Sequence, residues 1–337
     1  MLQAALAFPL QVQEGWEIGR TTPLPALAGT PAHLVLAGMG GSAIGGDLLA
    51  AVLGPRLRIP VAVVRDSSLP PYVNSRSVVV ATSYSGETEE TLAVAQQAVR
   101  TGATLVVVAG GGRLAELGSR EGHVIRVPPA VAPRAALGYL MTPVLAAVER
   151  WGLTDGAAAE VEEAVRVLGE VVREAGPGVP TPENPAKRLA ESLADRFPLV
   201  YAGSPAVEPA ARRWKCQINE NSKMLAAWNV FPELTHNETV GWGAPARVAA
   251  LTAVVVLLAG DESAQDLRRI AATREVFSGR AGVVHEERGR GTTRLARLLS
   301  LVLLGDLTSI YLAYLRGIDP TPVDAIDAVK RRTRETA

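Results

Sequence analysis

Cysteine is nearly missing from this chain: one residue, Cys216, among 337. A lone cysteine closes no internal disulfide, and without a CxxC pair or a Cys/His cluster no zinc site is expected. Charge of one sign is equally scarce. The 34 Lys and Arg balance the 34 Asp and Glu, and no basic run or stripe points to nucleic acid or an anionic membrane. The N-terminal MLQAALAFPLQVQEGWEIGR has no basic leader segment and no small-residue cleavage site, so no secretion signal is expected. Long apolar runs are lacking too. Residues 248–260 are too few to cross a bilayer, and 298–315 are broken by Asp306 between Arg297 and Arg316. A span needs about 20 mostly apolar residues, so both stretches are expected in the core. The single cysteine suits a reducing cytoplasm.

What is present is an alternation. HLVLAG (33–38), PVAVV (60–64), SVVVAT (77–82), TLVVVAG (104–110) and HVIRVP (123–128) are short continuous apolar runs. Runs of that kind suit strands buried on both faces of a parallel sheet. Helix-like segments separate them, and 132–152 reads as a long closing helix. Repeated strand–helix–strand spacing predicts a doubly wound α/β fold. After LTDGAA the theme restarts. An amphipathic helix at 157–176 and a stiff loop, PGVPTPENP, lead to a strand in FPLVYAGSP (197–205). LVLAGMGGSAIGGDLL and LVYAGSPAVEPAARRW share a strand, then AG, then a turn and a helix; only the first keeps its glycines. With a hydrophobic content of 48% over this length, two α/β domains of one kind are expected. They are residues 1–152 and 153–337.

The turn AGMGGSAIGGD (37–47) contains Gly38-x-Gly40-x-x-Ala43, a loose dinucleotide-binding pattern, and Asp66 ends the next strand. A nicotinamide-dependent oxidoreductase is therefore one reading. Glycines serving only the turn are another. No lysine lies within 37–47, which excludes a Walker-type triphosphate loop. A third reading comes from TSYSGET (82–88). In a parallel sheet both turns open on the same edge, at the carboxyl ends of their strands. Two helix N-termini would then face one anion. Ser42, Ser83, Ser85 and Thr88 add hydroxyls, Gly86 lets the backbone turn tightly, and together they suit a phosphate monoester. Helix capping by Ser85 or Thr88 accounts for one or two of these hydroxyls.

A second polar cluster lies in RRWKCQINENSKMLAAWNVFPELTHNETVGW (212–242). Glu220 sits between two asparagines near a helix end, and His236 follows 16 residues later in a loop. A carboxylate and an imidazole form a natural proton-transfer pair. Glu220 pairing with Arg212, Arg213 or Lys215 is the structural alternative, and Glu233 and Glu238 are competing acids.

Taken together, GMGGSAIGGD, TSYSGETEET, RWKCQINENSK and PELTHNETVGW resemble the bifunctional phosphoglucose/phosphomannose isomerases, over roughly residues 20–335. The resemblance implies two sugar-isomerase (SIS), flavodoxin-like domains packed together. It implies interconversion of glucose 6-phosphate, and of mannose 6-phosphate, with fructose 6-phosphate, using neither metal nor nucleotide cofactor. It assigns Glu220 as the base and His236 as the ring-opening group, contributed across the interface of a homodimer. Arg134, in PRAALGY, would stabilise a cis-enediolate, and Lys330 matches a lysine of the last helix. The phosphate-binding positions match Gly41, Ser42, Ser83, Ser85 and Thr88. Two departures stand out. Thr235 precedes His236 where the family has Asn, and the dual-specific members carry a small hydroxyl residue near the C-terminal lysine, where Thr321 stands nearby. A non-catalytic sugar-phosphate sensor shares the first two motifs and would need neither Glu220 nor His236.

Overall fold

A computed structural model describes residues 1–129 and 132–335. Helices α1 (Leu2–Leu6) and α2 (Phe8–Thr21) precede β1 (His33–Gly38), α3 (Gly40–Leu53), β2 (Val61–Val64) and β3 (Ser77–Thr82). Then come α4 (Glu89–Arg100), β4 (Thr104–Ala109), α5 (Gly112–Glu121) and β5 (His123–Arg126). A 3-10 turn, Pro133–Ala135, opens α6 (Leu137–Arg150), and α7 (Ala157–Ala175) and α8 (Pro185–Leu193) follow. The second half continues with β6 (Phe197–Ala202), α9 (Glu208–Ser222), β7 (Ala227–Val230), a 3-10 turn at Glu233–His236, α10 (Glu238–Gly241) and α11 (Ala246–Ala250). It ends with β8 (Thr252–Leu258), α12 (Ala264–Ser278), β9 (Val283–Arg288), α13 (Arg294–Leu315) and α14 (Asp324–Glu335).

Every strand pairing is parallel. The first sheet runs β2-β1-β3-β4-β5 and the second β7-β6-β8-β9. The second is the first without its fifth strand, so the duplication read from the sequence is a duplication of topology. In the first sheet the winding reverses between β1 and β3, and ligands of open α/β sheets bind at the carboxyl end of such a switch point.

Strand residues alternate faces, and here both faces are covered. Leu34, Leu36, Val78, Val80, Val106 and Val108 turn to one large core. Val35, Ala37, Val79, Ala81, Leu105 and Val107 turn away from it, beneath α4 and α5. The second sheet repeats the arrangement. Val200, Val255 and Leu257 face the same large core, and Tyr201, Val254 and Val256 face Phe277 of α12. Because both sheets use one shared core, built on α2, α6, α7, α9 and α13, the two halves are joined by buried apolar surface. Each fully buried aliphatic side chain in it contributes about 1.5–3 kcal/mol.

Three features depart from the sequence reading. The N-terminal stretch forms two helices, and α2 packs on α6. The stiff loop at 177–185 gives way to α8, started by Asn184, which accepts a hydrogen bond from the Lys187 amide at 3.0 Å. β7, with four residues in a polar stretch, is an edge strand too short and too half-buried to show a period. The apolar run at 298–315 lies in α13, which is long and apolar enough to cross a membrane, yet 89% of its most apolar window is buried inside the protein.

α13 is fastened at its start by Glu163 of α7. Its carboxylate accepts hydrogen bonds from the Thr292 amide (2.6 Å), the Thr292 hydroxyl (2.9 Å) and the Thr293 amide (2.9 Å). Burial works to raise its pKa, but the hydrogen bonds from Thr292 and Thr293 outweigh it and hold it down to about 2. A depressed carboxylate stabilises the fold above its unfolded value near 4.5, and that contribution fades as pH falls toward 2. The melting temperature of the wild type should therefore drop more steeply between pH 5 and 2 than that of Glu163→Gln. Parallel thermal melts across that range check it, and equal slopes would refute it.

A carboxylate also fills the turn after β8. Glu262 accepts hydrogen bonds from the amides of Ala259 and Gly260, the latter at 2.9 Å.

Candidate active site

β1 and β3 lie side by side in register, with Gly38 opposite Thr82. The turns that follow them therefore leave the sheet together. In the first, α3 starts at Gly40, and Ser42 lies buried in its opening turn. Gly41 packs on the backbone of Arg134; a Cβ there would lie 3.2 Å from the Arg134 Cα. In the second, buried Ser83 Oγ accepts the Gly86 amide at 3.2 Å and shares a 2.9 Å hydrogen bond with Thr88 Oγ1. Ser85 is exposed, and its Oγ accepts the Glu87 amide at 3.2 Å. Gly86 has φ +71°, and a Cβ on it would run into the Gly111 carbonyl. Only glycine suits that position. The hydroxyls thus shape the turn as well as line it. The helix-capping reading is met only in part: Thr88 is the N-cap of α4 but makes no side-chain cap hydrogen bond.

Arg134 is the junction of the site. It is 5% exposed, which an arginine tolerates only when its donors are met. Nε donates to Asn221 Oδ1 at 3.0 Å, and Nη2 donates to the carbonyls of Pro320 (2.7 Å) and Thr321 (2.9 Å). Nη1 lies 3.8 Å from Glu220 Oε2. Burial pushes the guanidinium down from its usual value and Arg213 adds to this, while Glu220 and Asp306 pull it up. Two of the three alternative partners of Glu220, Arg212 and Arg213, are engaged elsewhere. Arg212 pairs with Glu208 (3.0 Å) and Asp47 (3.5 Å), and Arg213 pairs with Asp306. Among the competing acids, Glu238 is an anchor: Tyr201 Oη and Asn229 Nδ2 both donate to it. Glu233 accepts from Asn237 at 3.1 Å.

Behind Arg134 stands a buried polar layer between α9 and α13. Arg213 donates to Asp306 through Nε (2.9 Å) and Nη2 (2.7 Å), Gln217 donates to the same carboxylate (3.0 Å), and Arg213 Nη2 also donates to the Arg134 carbonyl (2.8 Å). Ser309 Oγ accepts from Asn221 Nδ2 at 2.9 Å. Burial raises the Asp306 carboxyl, against the pull of Arg213 and Gln217. Sequence reasoning used Asp306 only to reject a membrane span. A charge inside an otherwise apolar helix was the signal that could have found this layer.

The structure does not bring every predicted residue together. Glu220 sits two residues before the end of α9, and β7 then runs back along the sheet before His236 is reached. Four residues of strand cover about 13 Å, so Glu220 and His236 lie toward opposite edges of the second sheet within one chain. His236 is exposed. Lys330 is exposed on α14 and makes no hydrogen bond or ion pair with any described residue. Lys223, passed over in the sequence, stands beside Glu220: its Nζ donates to the Glu220 carbonyl and, at 2.6 Å, to the Pro322 carbonyl. Asp66, the acid required by a dinucleotide reading, is exposed and accepts the Ser67 amide at 2.6 Å. Among the described residues no three His, Cys, Asp or Glu side chains stand together as a metal site.

Comparison with known proteins adds to this geometry. Residues 28–149 match the SIS domain family, and residues 182–333 match the bacterial phospho-glucose isomerase C-terminal SIS domain. The chain is 40% identical to a bifunctional phosphoglucose/phosphomannose isomerase of Caldicellulosiruptor bescii, over 99% of each chain. It is 33% identical to one of Thermoplasma acidophilum, over 90% of each. Among solved structures, the fold is similar to the C-terminal domain of glucosamine-fructose-6-phosphate aminotransferase from Francisella tularensis, with TM-score 0.72 and 15% identity over 96% of this chain and 98% of that one. It is also similar to a glucose-6-phosphate isomerase like protein from Thermus thermophilus, with TM-score 0.62 and 24% identity over 93% of each.

Proposed function

The chain belongs to the bifunctional phosphoglucose/phosphomannose isomerase family, and from that premise we propose that the residues gathered around Arg134 interconvert glucose 6-phosphate and mannose 6-phosphate with fructose 6-phosphate. One observation carries the assignment of residues. Arg134 packs its backbone on Gly41 of the first turn and points its guanidinium at Glu220, so a phosphate cradle and a carboxylate base are joined through one residue. The cradle comes from residues 1–152 and the base from 153–337.

The 6-phosphate is held by Gly41, Ser42, Ser83, Ser85 and Thr88, where two helix N-termini favour an anion. Glu220 takes the proton from C2 of the open-chain aldose and returns it to C1, or the reverse, through a cis-enediolate. Developing negative charge on the enediolate oxygens faces Arg134 Nη1, whose hydrogens no described residue accepts. A guanidinium does not lose its proton in doing so. Return of the proton to either face of C2 gives the glucose or the mannose configuration. His236 moves the proton at the ring oxygen, a task suited to imidazole near neutral pH.

His236 reaches the substrate from the second subunit of a homodimer. Its distance from Glu220 within the chain supports this, as do the large apolar residues exposed near each of them: Val240 is 85% and Leu225 is 81% exposed. Lys330, on the exposed last helix, is assigned to the same assembled site. The single cysteine suits a cytoplasmic enzyme.

A coupled assay with fructose 6-phosphate, without nicotinamide in the isomerase step, tests the reading. Both glucose 6-phosphate and mannose 6-phosphate should form. Failure to form any aldose, or a need for nicotinamide, would sink it.

A further inference from the structure

Pro320, Thr321 and Pro322 present three successive carbonyls, and two cations take all three. Arg134 Nη2 donates to the first two at 2.7 and 2.9 Å, and Lys223 Nζ donates to the third at 2.6 Å. The prolines have no amide hydrogens, and the Thr321 amide is used by Asp319 at 2.8 Å. The backbone of the segment therefore reaches Arg134 and the end of α9 only through its carbonyls. The last helix, α14, adds little grip: Ile326 is 40% and Val329 65% exposed. Lys223 is also conformationally unusual. It ends α9 with φ +53°, the left-handed region that usually takes glycine or asparagine. That turn brings the ammonium back over the last helical turn, onto the carbonyl of Glu220 itself.

We propose that Lys223 is a positioning residue of the isomerase site, tying the 320–322 strap to the end of the helix that carries Glu220. The proposal rests on the isomerase reading above. Through this tie the backbone of Glu220, the guanidinium of Arg134 and the strap bearing Thr321 move as one unit. The phosphate turns lie on the first sheet and meet Arg134 at its backbone, not at the guanidinium tied to the strap. Loss of the tie should lower turnover while leaving phosphate binding intact.

Lys223→Met and Lys223→Arg in the full-length enzyme test this. Three quantities are read: kcat with fructose 6-phosphate, inhibition by inorganic phosphate, and amide hydrogen exchange over residues 319–327. Lys223→Met should lower kcat by roughly tenfold or more, keep the phosphate inhibition constant within about twofold, and speed exchange of the strap by about tenfold. Lys223→Arg, which can still donate to both carbonyls, should recover kcat to within about threefold. Unchanged kcat and unchanged strap exchange in Lys223→Met would overturn the proposal, as would an Arg variant no better than the Met one. If the wild-type chain isomerised no hexose 6-phosphate, the isomerase reading would fall, and the exchange result would still decide whether Lys223 holds the strap.

Discussion

Glu220→Gln should lose nearly all isomerase turnover, with kcat falling by about two to four orders of magnitude, the usual share of a positioned acid–base group. The amide keeps the size of the carboxylate and still accepts from a guanidinium, so the surroundings of Arg134 are preserved. Arg134 itself is held by Asn221, Pro320 and Thr321, none of which the substitution touches. KM should accordingly stay within a few-fold, because the turns proposed to hold the phosphate lie on the other sheet. Solvent deuterium provides a second readout: in the wild type the proton carried by the base should exchange in part with water, and label entering C2 of the aldose should disappear in the variant. A Glu220→Gln enzyme within tenfold of wild-type kcat would remove Glu220 from the role of base.

The largest effect on stability is expected from Asp306→Ala. Arg213 is 3% exposed and has its charge met by Asp306. Deleting one partner of a buried pair leaves the other charged and unpaired, which costs about 3–5 kcal/mol. Gln217 loses an acceptor at the same time. Chemical denaturation of the two proteins measures the difference, and a loss below about 1 kcal/mol, the ordinary worth of one net hydrogen bond, would refute it. A double variant, Asp306→Leu with Arg213→Leu, separates two roles of the pair. Apolar replacement of a whole buried ion pair is often neutral for stability. The carbonyl of Arg134, however, would still lack the donor it receives from Arg213. Stability should recover further than turnover does.

Much of this was legible before any coordinates. The strands of the first sheet are continuous apolar runs because they are buried on both faces, and 33–38 and 77–82 coincide with the strands found. Glu220 sits near a helix end, as expected from the sequence; its reading as a base comes from its pairing with His236 and from the family resemblance. The less legible parts have separate causes. β7 is short and half-buried, so it has no period to detect. Lys223 and the strap act through backbone carbonyls, which leave no mark on side-chain chemistry beyond the two prolines. Asp306 and Ser309 sit in a helix whose composition otherwise reports only burial. The separation of His236 from Glu220 follows from chain direction, since a crossover helix returns the backbone to the opposite edge of its sheet, and spacing along the sequence is blind to that.

The carboxylate of Glu262 has a bearing on stoichiometry. By sheet order β8 corresponds to β3, so the turn after β8 is the counterpart of the turn that carries Ser83, Ser85 and Thr88. In that counterpart the amides of Ala259 and Gly260 already hold an anion, and it is covalently part of the chain. On the proposed reading, the duplicated fold keeps one anion seat for a ligand and stops the other with its own side chain. Two copies of the architecture would then bind one ligand per polypeptide, with the second copy contributing a base rather than a seat.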